Sequence, residues 1–362
     1  MHIALSRRDR LLSRRYRLLS RRYRLLSRRY RHLPLRDRQC GAALIVAMLV
    51  FALATTLVVA MTSEFSLFVR RSANSFVGAQ AQAYLRGGED LAKMVLNQDS
   101  QTDLQRNLQR DDLTEIWAQQ VPPYALDEGG FLSGSLEDLS GRINLNVLNA
   151  EPPQGQPFTS TQAQFIRLLQ CFDEPQVSEQ DARLILQAVQ DWLDADQEPR
   201  DFGAEDDFYF DRVPSYRTGN NTMQSVSELR MVAYMTPEIF DAVSPFLTVW
   251  STGAINIQTA PPEILRTINA RENLQPLTVG EGQALIELRG EIGFENVDAL
   301  IESPVLGGLE LSADLRGRLV ERSDYYLYRG QVDIAGRQAT LYSVLRRDAA
   351  QVKTLVRASA SL

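Results

Sequence analysis

Histidine and cysteine are almost missing from this chain, with two of each in 362 residues. His2, His32 and Cys40 all precede Gly41, so everything after that glycine has no imidazole and a single thiol, Cys171. Ser-His-Asp and Cys-His nucleophiles are thereby excluded from that part, as are zinc sites built on Cys and His. One thiol cannot close a disulfide within the chain even in an oxidising compartment, and Cys171 reads as a small buried hydrophobe. Two further gaps are local. No charged residue occurs from Gly41 to Ser63, and no proline between Pro34 and Pro122.

An uncharged run of that length supplies the ~20 apolar residues that a helix needs to cross a bilayer. Fourteen arginines, from Arg7 to Arg38, stand before it against Asp9 and Asp37 alone. The positive-inside rule then puts the N-terminus in the cytoplasm and everything after Glu64 on the far side. Without this leader the net charge falls from −6 to −18, with 25 basic and 43 acidic residues. An exported domain of that charge is a poor polyanion binder and a good candidate for cations. At 44% hydrophobic residues, the chain has material for a membrane helix and one or two globular domains.

A secretory signal would place its small-residue cleavage site beyond the apolar core. Here the candidate, Gly41, lies before it, after Arg38 and Gln39. That order resembles the class III leader of type IV pilins and type II secretion pseudopilins, which implies a prepilin peptidase cutting between Gly41 and Ala42 and methylating the new N-terminus. A plain signal anchor is the alternative. The leader also repeats RLLSRRY at Arg10–Tyr16, Arg17–Tyr23 and Arg24–Tyr30, with a partial copy at Leu5–Arg8. Three identical copies read as a tandem duplication in a discarded segment, or an over-extended gene start, rather than as a coiled coil.

Beyond the span the helical pattern runs to about Leu96, with Gly87-Gly88 as the expected bend. Phe131–Asn144 alternates as a strand or hairpin. Asp324–Ile334 and Gln338–Arg346 read as a hairpin about Ala335-Gly336-Arg337, and Gln351–Ser359 as a last strand. Between these lie candidate helices at Ser160–Phe172, Ser178–Asp191, Ser225–Val232, Thr236–Val243, Pro261–Ile268, Val279–Glu287 and Phe294–Leu300, several opened by a capping residue. The expected organisation is a leader (1–41), an N-terminal transmembrane and pilin helix (42–97), a first sheet region (98–150), an inserted helical domain (151–320) and C-terminal strands completing the sheet (321–362).

A long helix on an antiparallel sheet, an α+β arrangement, is similar to the pilin fold. Within that superfamily the chain resembles the K-type minor pseudopilins of type II secretion. The resemblance rests on RQCG at Arg38–Gly41, AQAYLRGGEDLAKMVL at Ala81–Leu96, EDLSGRINLN at Glu137–Asn146, DWLDADQEPRDFGAEDDFY at Asp191–Tyr209, SVSELRMV at Ser225–Val232 and INIQTAPPEIL at Ile255–Leu265. It implies a single-pass inner-membrane protein with a periplasmic C-terminal domain, at the tip of a pseudopilus that it initiates and caps. It also implies as partners the other minor pseudopilins, the assembly platform and the prepilin peptidase. A minor pilin of a type IV pilus is the alternative.

Pilin-like subunits usually carry glutamate at the fifth mature residue. Here that residue is Val46. A carboxylate buried in the bilayer is kept only where a partner charge meets it, so its absence implies no subunit above. The acidic block carries Asp194, Asp196, Glu198 and Glu205 at the spacing of four calcium-loop ligands. Pro199 occupies the sixth place, where such a loop needs glycine, and the residues after Glu205 read as loop or strand, so an EF-hand is rejected. Mutual repulsion among the acids still favours an irregular cation site, with Asp194, Asp196, Glu205 and Asp206 as the expected ligands, and the resemblance implies that the ion is calcium. INIQTAPPEILRTI resembles a helix-hairpin-helix element but lacks its glycine turn, and the net charge opposes nucleic acid. A hydrolase pairing Asp194 with Glu205 has the residue types, yet its acids crowd into one loop without a histidine. The chain is read as a non-enzyme.

Overall fold

Residues 40–106, 108, 110–127, 129–348 and 351–360 are described by the structure, a computed structural model; the arginine leader and its repeats lie outside them. Two compact units divide the chain at Ala73 and Asn74. Helix α1 (Cys40–Arg106) begins in the first, where an 18-residue window has a mean hydropathy of 2.7 and none of it is buried. A helix apolar on all sides is what a span requires, since it satisfies its own backbone polar groups.

In the second unit α1 turns amphipathic. Ala81, Leu85, Ala92 and Leu96 recur at helical spacing and are buried. They face a five-stranded antiparallel sheet: β1 (Tyr124–Ala125), β2 (Phe131–Asp138), β3 (Tyr325–Ile334), β4 (Arg337–Arg347) and β5 (Val352–Ala358), in that spatial order. Alternation in β3 turns Tyr326, Tyr328, Val332 and Ile334 inward, closing a core with Leu341 and Leu345 of β4. The expected bend at Gly87-Gly88 does not interrupt α1. Gly88 serves close approach instead, since a Cβ there would lie 2.3 Å from Tyr328 Oη and one on Gly330 2.4 Å, whereas one on Gly87 would meet nothing. The helix also passes its expected end at Leu96 and runs to Arg106, its added turns held by Asp99 Oδ2, which accepts from Arg347 Nη1 at 3.3 Å.

The hairpin of β3 and β4 and the final strand form as expected. Phe131–Asn144 does not return as a hairpin. β2 stops at Asp138, and Ile143–Asn144 instead pairs in parallel with Leu247–Thr248. Between β2 and β3, neighbours in the sheet, the chain builds a helical region. It comprises α2 (Ser160–Leu169), α3 (Glu179–Leu193), α4 (Asp206–Phe210), α5 (Pro237–Val243), α6 (Pro262–Arg266), α7 (Val279–Arg289), α8 (Val297–Ile301) and α9 (Ala313–Arg318), around a core of its own. Reciprocal caps open two of them, Thr159 with Gln162 and Thr278 with Glu281. The sequence pattern missed α4 and α9, each barely longer than one turn, and Ser225–Val232 forms a 3-10 helix over Val226–Met231.

Buried ion pairs fasten the sheet to what surrounds it. Glu89 of α1 accepts from Ser343 of β4 and from Thr354 and Arg357 of β5, with Lys93 Nζ 2.7 Å away. Arg347 at the end of β4 donates to Asp111, Asp99 and the carbonyl of Ser323. Replacing Arg347 with methionine keeps the volume but strands Asp111 and Asp99. Removing one partner of a buried pair costs about 3–5 kcal/mol. Urea unfolding of the detergent-solubilised chain is expected to show that loss at pH 8 and a smaller one at pH 5, below the value of about 6 to which burial raises Asp99. An equal loss at both would mean that the arginine acts by packing alone.

Candidate metal centre

Helix α3 delivers Asp191 to its buried last turn and ends on Asp194 as its C-cap. The loop that follows folds back through Arg200, whose Nη1 donates to Asp191 Oδ1 at 2.6 Å and to Asp194 Oδ2 at 2.5 Å, while its backbone N reaches Asp191 Oδ2 at 3.2 Å. Only glycine fits at 203, since a Cβ there would lie 1.6 Å from Asp191 Oδ2. The loop closes at α4, where the sequence suggested loop or strand. Asp206 and Asp207 in its first turn complement the helix dipole, and Tyr209 anchors it, its ring edge-on to Trp192 and its hydroxyl accepting from Ala233 N.

This fold-back brings Asp194, Asp196 and Glu205 together, each with a carboxylate oxygen within 4.8 Å of the others. Asp194 Oδ1 and both oxygens of Glu205 are buried without a hydrogen-bond partner. Burial, reinforced by the charge of Asp191, pushes Glu205 up to about 7, and burial raises Asp194 too, against the pull of Arg200. Unpartnered buried lone pairs are costly. Oxygen donors of this kind fit a hard divalent cation.

Asp206, expected as a fourth ligand, does not join them. Its Oδ1 accepts from the N and Oγ1 of Thr218, both at 3.0 Å, and its Oδ2 lies 4.0 Å from Arg217 Nε. The hydroxyl and amide of Thr218 compete successfully for that carboxylate. Asn220 is a residue the sequence reading missed. Its Nδ2 donates to the carbonyl of Asp196 at 3.0 Å, and its Oδ1 is buried and unpartnered. The only local signal was Gly219-Asn220-Asn221, residue types that accept the left-handed backbone, which Asn220 adopts at φ 42°.

Among the described residues Asp99, Asp103 and Glu115 form another acidic group. Its oxygens are better served: Arg347 donates to Asp99, and Trp117 Nε1 donates to Glu115 at 2.6 Å. Burial pushes Glu115 up to about 8, against the hydrogen bond from Trp117. The loop after α3 is therefore the stronger candidate for a cation.

A family model described as Type II secretion system (T2SS), protein K matches residues 141–252, and a second of the same description matches 255–322. The type II secretion system protein K of Pseudomonas aeruginosa is 31% identical over 321 residues, which cover 86% of this chain and 90% of that protein. The chain belongs to the type II secretion system protein K family. The protein K of Klebsiella pneumoniae is 30% identical over 282 residues, 77% of this chain and 84% of its own. In fold the chain matches one in the crystal structure of the GspK-GspI-GspJ complex from the enterotoxigenic Escherichia coli type 2 secretion system, with a TM-score of 0.67 at 22% identity, over 81% of this chain and 100% of that one. The α+β pilin-like architecture with its helical insertion stands, and the family assignment sets aside the type IV pilus alternative.

The segment resembling a helix-hairpin-helix lies in the second matched stretch. Its loop between α6 and α7 turns the carbonyls of Thr267, Ala270 and Asn273 onto the guanidinium of Arg167, at 2.8–2.9 Å. A phosphate would need amides there. In this chain the hairpin is a clasp for a buried arginine.

Proposed function

We propose that this chain is cut between Gly41 and Ala42 by a prepilin peptidase, is methylated at its new N-terminus, and stays in the inner membrane through α1 with its C-terminal domain in the periplasm. It takes the tip of the pseudopilus, where it initiates and caps assembly on the inner-membrane platform for protein export across the outer membrane. Val46 carries the tip reading. It is exposed on an α1 surface with no carboxylate in the span, so a subunit stacked above would find no charge to pair with its N-terminus. The helical insertion adds bulk that a tip accommodates and a shaft does not.

Partners of the same kind suit the remaining apolar surface of α1. Phe76, Leu91 and Met94 are 58–70% exposed there, and long helices of other minor pseudopilins would cover them; the solved relative was crystallised with GspI and GspJ. Nothing in the site requires catalysis. Calcium held by Asp194, Asp196 and Glu205 would neutralise the loop and tie the end of α3 to the start of α4.

Mass spectrometry of the membrane-bound protein is expected to give an N-terminus at Ala42 carrying a methyl group. A chain still beginning with the arginine repeats would remove the leader assignment. Label attached to the periplasmic domain should mark one end of each filament, and regular label along the shaft would rule out the tip.

Calcium has its own test in the detergent-solubilised full chain. Binding stabilises by RT ln(1 + [L]/Kd), about 2.7 kcal/mol at a hundredfold excess over Kd. Chelation should lower the melting temperature, and calcium should restore it better than magnesium, which prefers a tighter octahedron and keeps its waters. The effect weakens as pH falls through 7, where Glu205 takes up a proton, and vanishes in the double variant Asp194→Ala, Glu205→Ala. A melting curve indifferent to chelator would leave the acids as a solvated loop.

A further inference from the structure

A cavity of about 430 Å³ lies between the start of α2 and the loop joining α6 to α7. Its size falls within the range of small-ligand sites, roughly 300–1,000 Å³. Residues 151–320 carry 11 arginines against 27 acidic residues, a net charge of −16. The cavity reverses that balance, with Arg167, Arg183 and Arg271 in its lining and Glu272 as the one carboxylate.

The arginines differ in how their charge is met. Arg167 is buried, and its three hydrogen bonds all go to backbone carbonyls, so no carboxylate neutralises it. Guanidinium has five N–H donors, which leaves two of them without a bond. Burial without a counter-charge pulls Arg167 down to about 10. Arg271 is exposed at the rim, and its side chain makes no ion pair or hydrogen bond. Arg183 is paired with Glu179 and lies 5.5 Å from the ring of Phe158, which also lines the cavity. Thr159 and Ser160 bring the positive end of the ten-residue α2 to the same wall.

We propose that this cavity binds an organic carboxylate, its anionic head between Arg167 and Arg271 and its carbon portion against Phe158, Leu274 and Leu315. The fork of a guanidinium matches a carboxylate in two parallel hydrogen bonds, and the apolar wall has no use in holding a bare inorganic ion. The group is carried either on a small molecule or on an acidic segment of another chain. The inference is separate from the calcium loop and the tip, since it uses none of their residues.

Isothermal titration of the detergent-solubilised full chain, at fixed calcium and fixed ionic strength, distinguishes the sources with three probes: succinate, a glutamate-rich peptide and inorganic phosphate. Saturable heat is expected from succinate or from the peptide, and the tighter of the two names the carrier. Arg271→Glu should weaken that binding at least tenfold, and Arg183→Ala with Arg271→Ala comparably; these exposed side chains leave the core untouched, and an unchanged thermal midpoint confirms it. Arg346→Ala, on the sheet, should leave the affinity as it was. The proposal fails if neither carboxylate gives saturable heat, if Arg271→Glu binds equally well, or if phosphate binds as tightly as either.

Discussion

The helical region leaves the sheet after β2 and returns at β3, and both crossings pass through one buried polar root. Asp138 at the end of β2 accepts from Ser323 Oγ and Thr259 Oγ1, both at 2.5 Å, and from Ser140 N. Asn256, fully buried, donates to Ser323 Oγ and to the carbonyl of Asp111, while its own N binds the carbonyl of Ser140. Asp111 in turn accepts from Ser323 N and pairs with Arg347. Burial raises Asp138 above the usual carboxylate range although three donors oppose it. A network of this kind is worth having only when each member is satisfied, because a half-satisfied one is worse than an apolar core. It ties the entry, the exit and the middle of the insertion to the end of β4, so the two cores cannot settle independently.

Within the insertion, arginine does what a sheet would do elsewhere. Arg167, Arg266, Arg289 and Arg318 all donate to backbone carbonyls of other segments, and Arg318 also reaches Ser160 and Gln164. Short helices joined by irregular loops leave many carbonyls without ladder partners. A planar donor fork meets two or three of them at once, which a lysine could not do in fixed geometry. The cost is buried positive charge, with Arg167, Arg289 and Arg318 all pulled below the ordinary guanidinium range by burial. That is why the cavity lined by Arg167 is basic in a region otherwise acidic.

Much of this could be read in the sequence because the elements concerned have strong periods. The inward face of α1, the alternation of β3 and β4, and helices opened by Ser or Thr caps are local signals. α4 and α9 escaped because five or six residues give no period, and the partner of Ile143–Asn144 lies about a hundred residues away. Two of the stretches that carried the family resemblance turn out to supply part of the root: Asp138 and Ser140 come from EDLSGRINLN, Asn256 and Thr259 from INIQTAPPEIL. Their meeting is tertiary, so the motifs were visible and their purpose was not. At the candidate cation site, composition pointed to the acidic loop but could not rank its acids. Which carboxylates remain unpartnered depends on Arg200 and Thr218, and neither residue announces its target.

That ranking separates two jobs within one loop. Asp191 is structural: it is buried, paired with Arg200, and packed so closely on Gly203 that no side chain fits between. Asp206 is structural as well, holding Thr218. Asp194 is shared, one oxygen on Arg200 and the other bare, while Glu205 is bare at both. The loop is thus scaffolded by pairs complete in themselves, and the unmet oxygens are what it presents. A cation would then join a scaffold already formed, losing little chain entropy on binding, unlike small metal domains that fold only around their ion. On this arrangement removal of such an ion would loosen the link between α3 and α4, while the aromatic packing of Trp192 and Tyr209 would keep the surrounding helices folded.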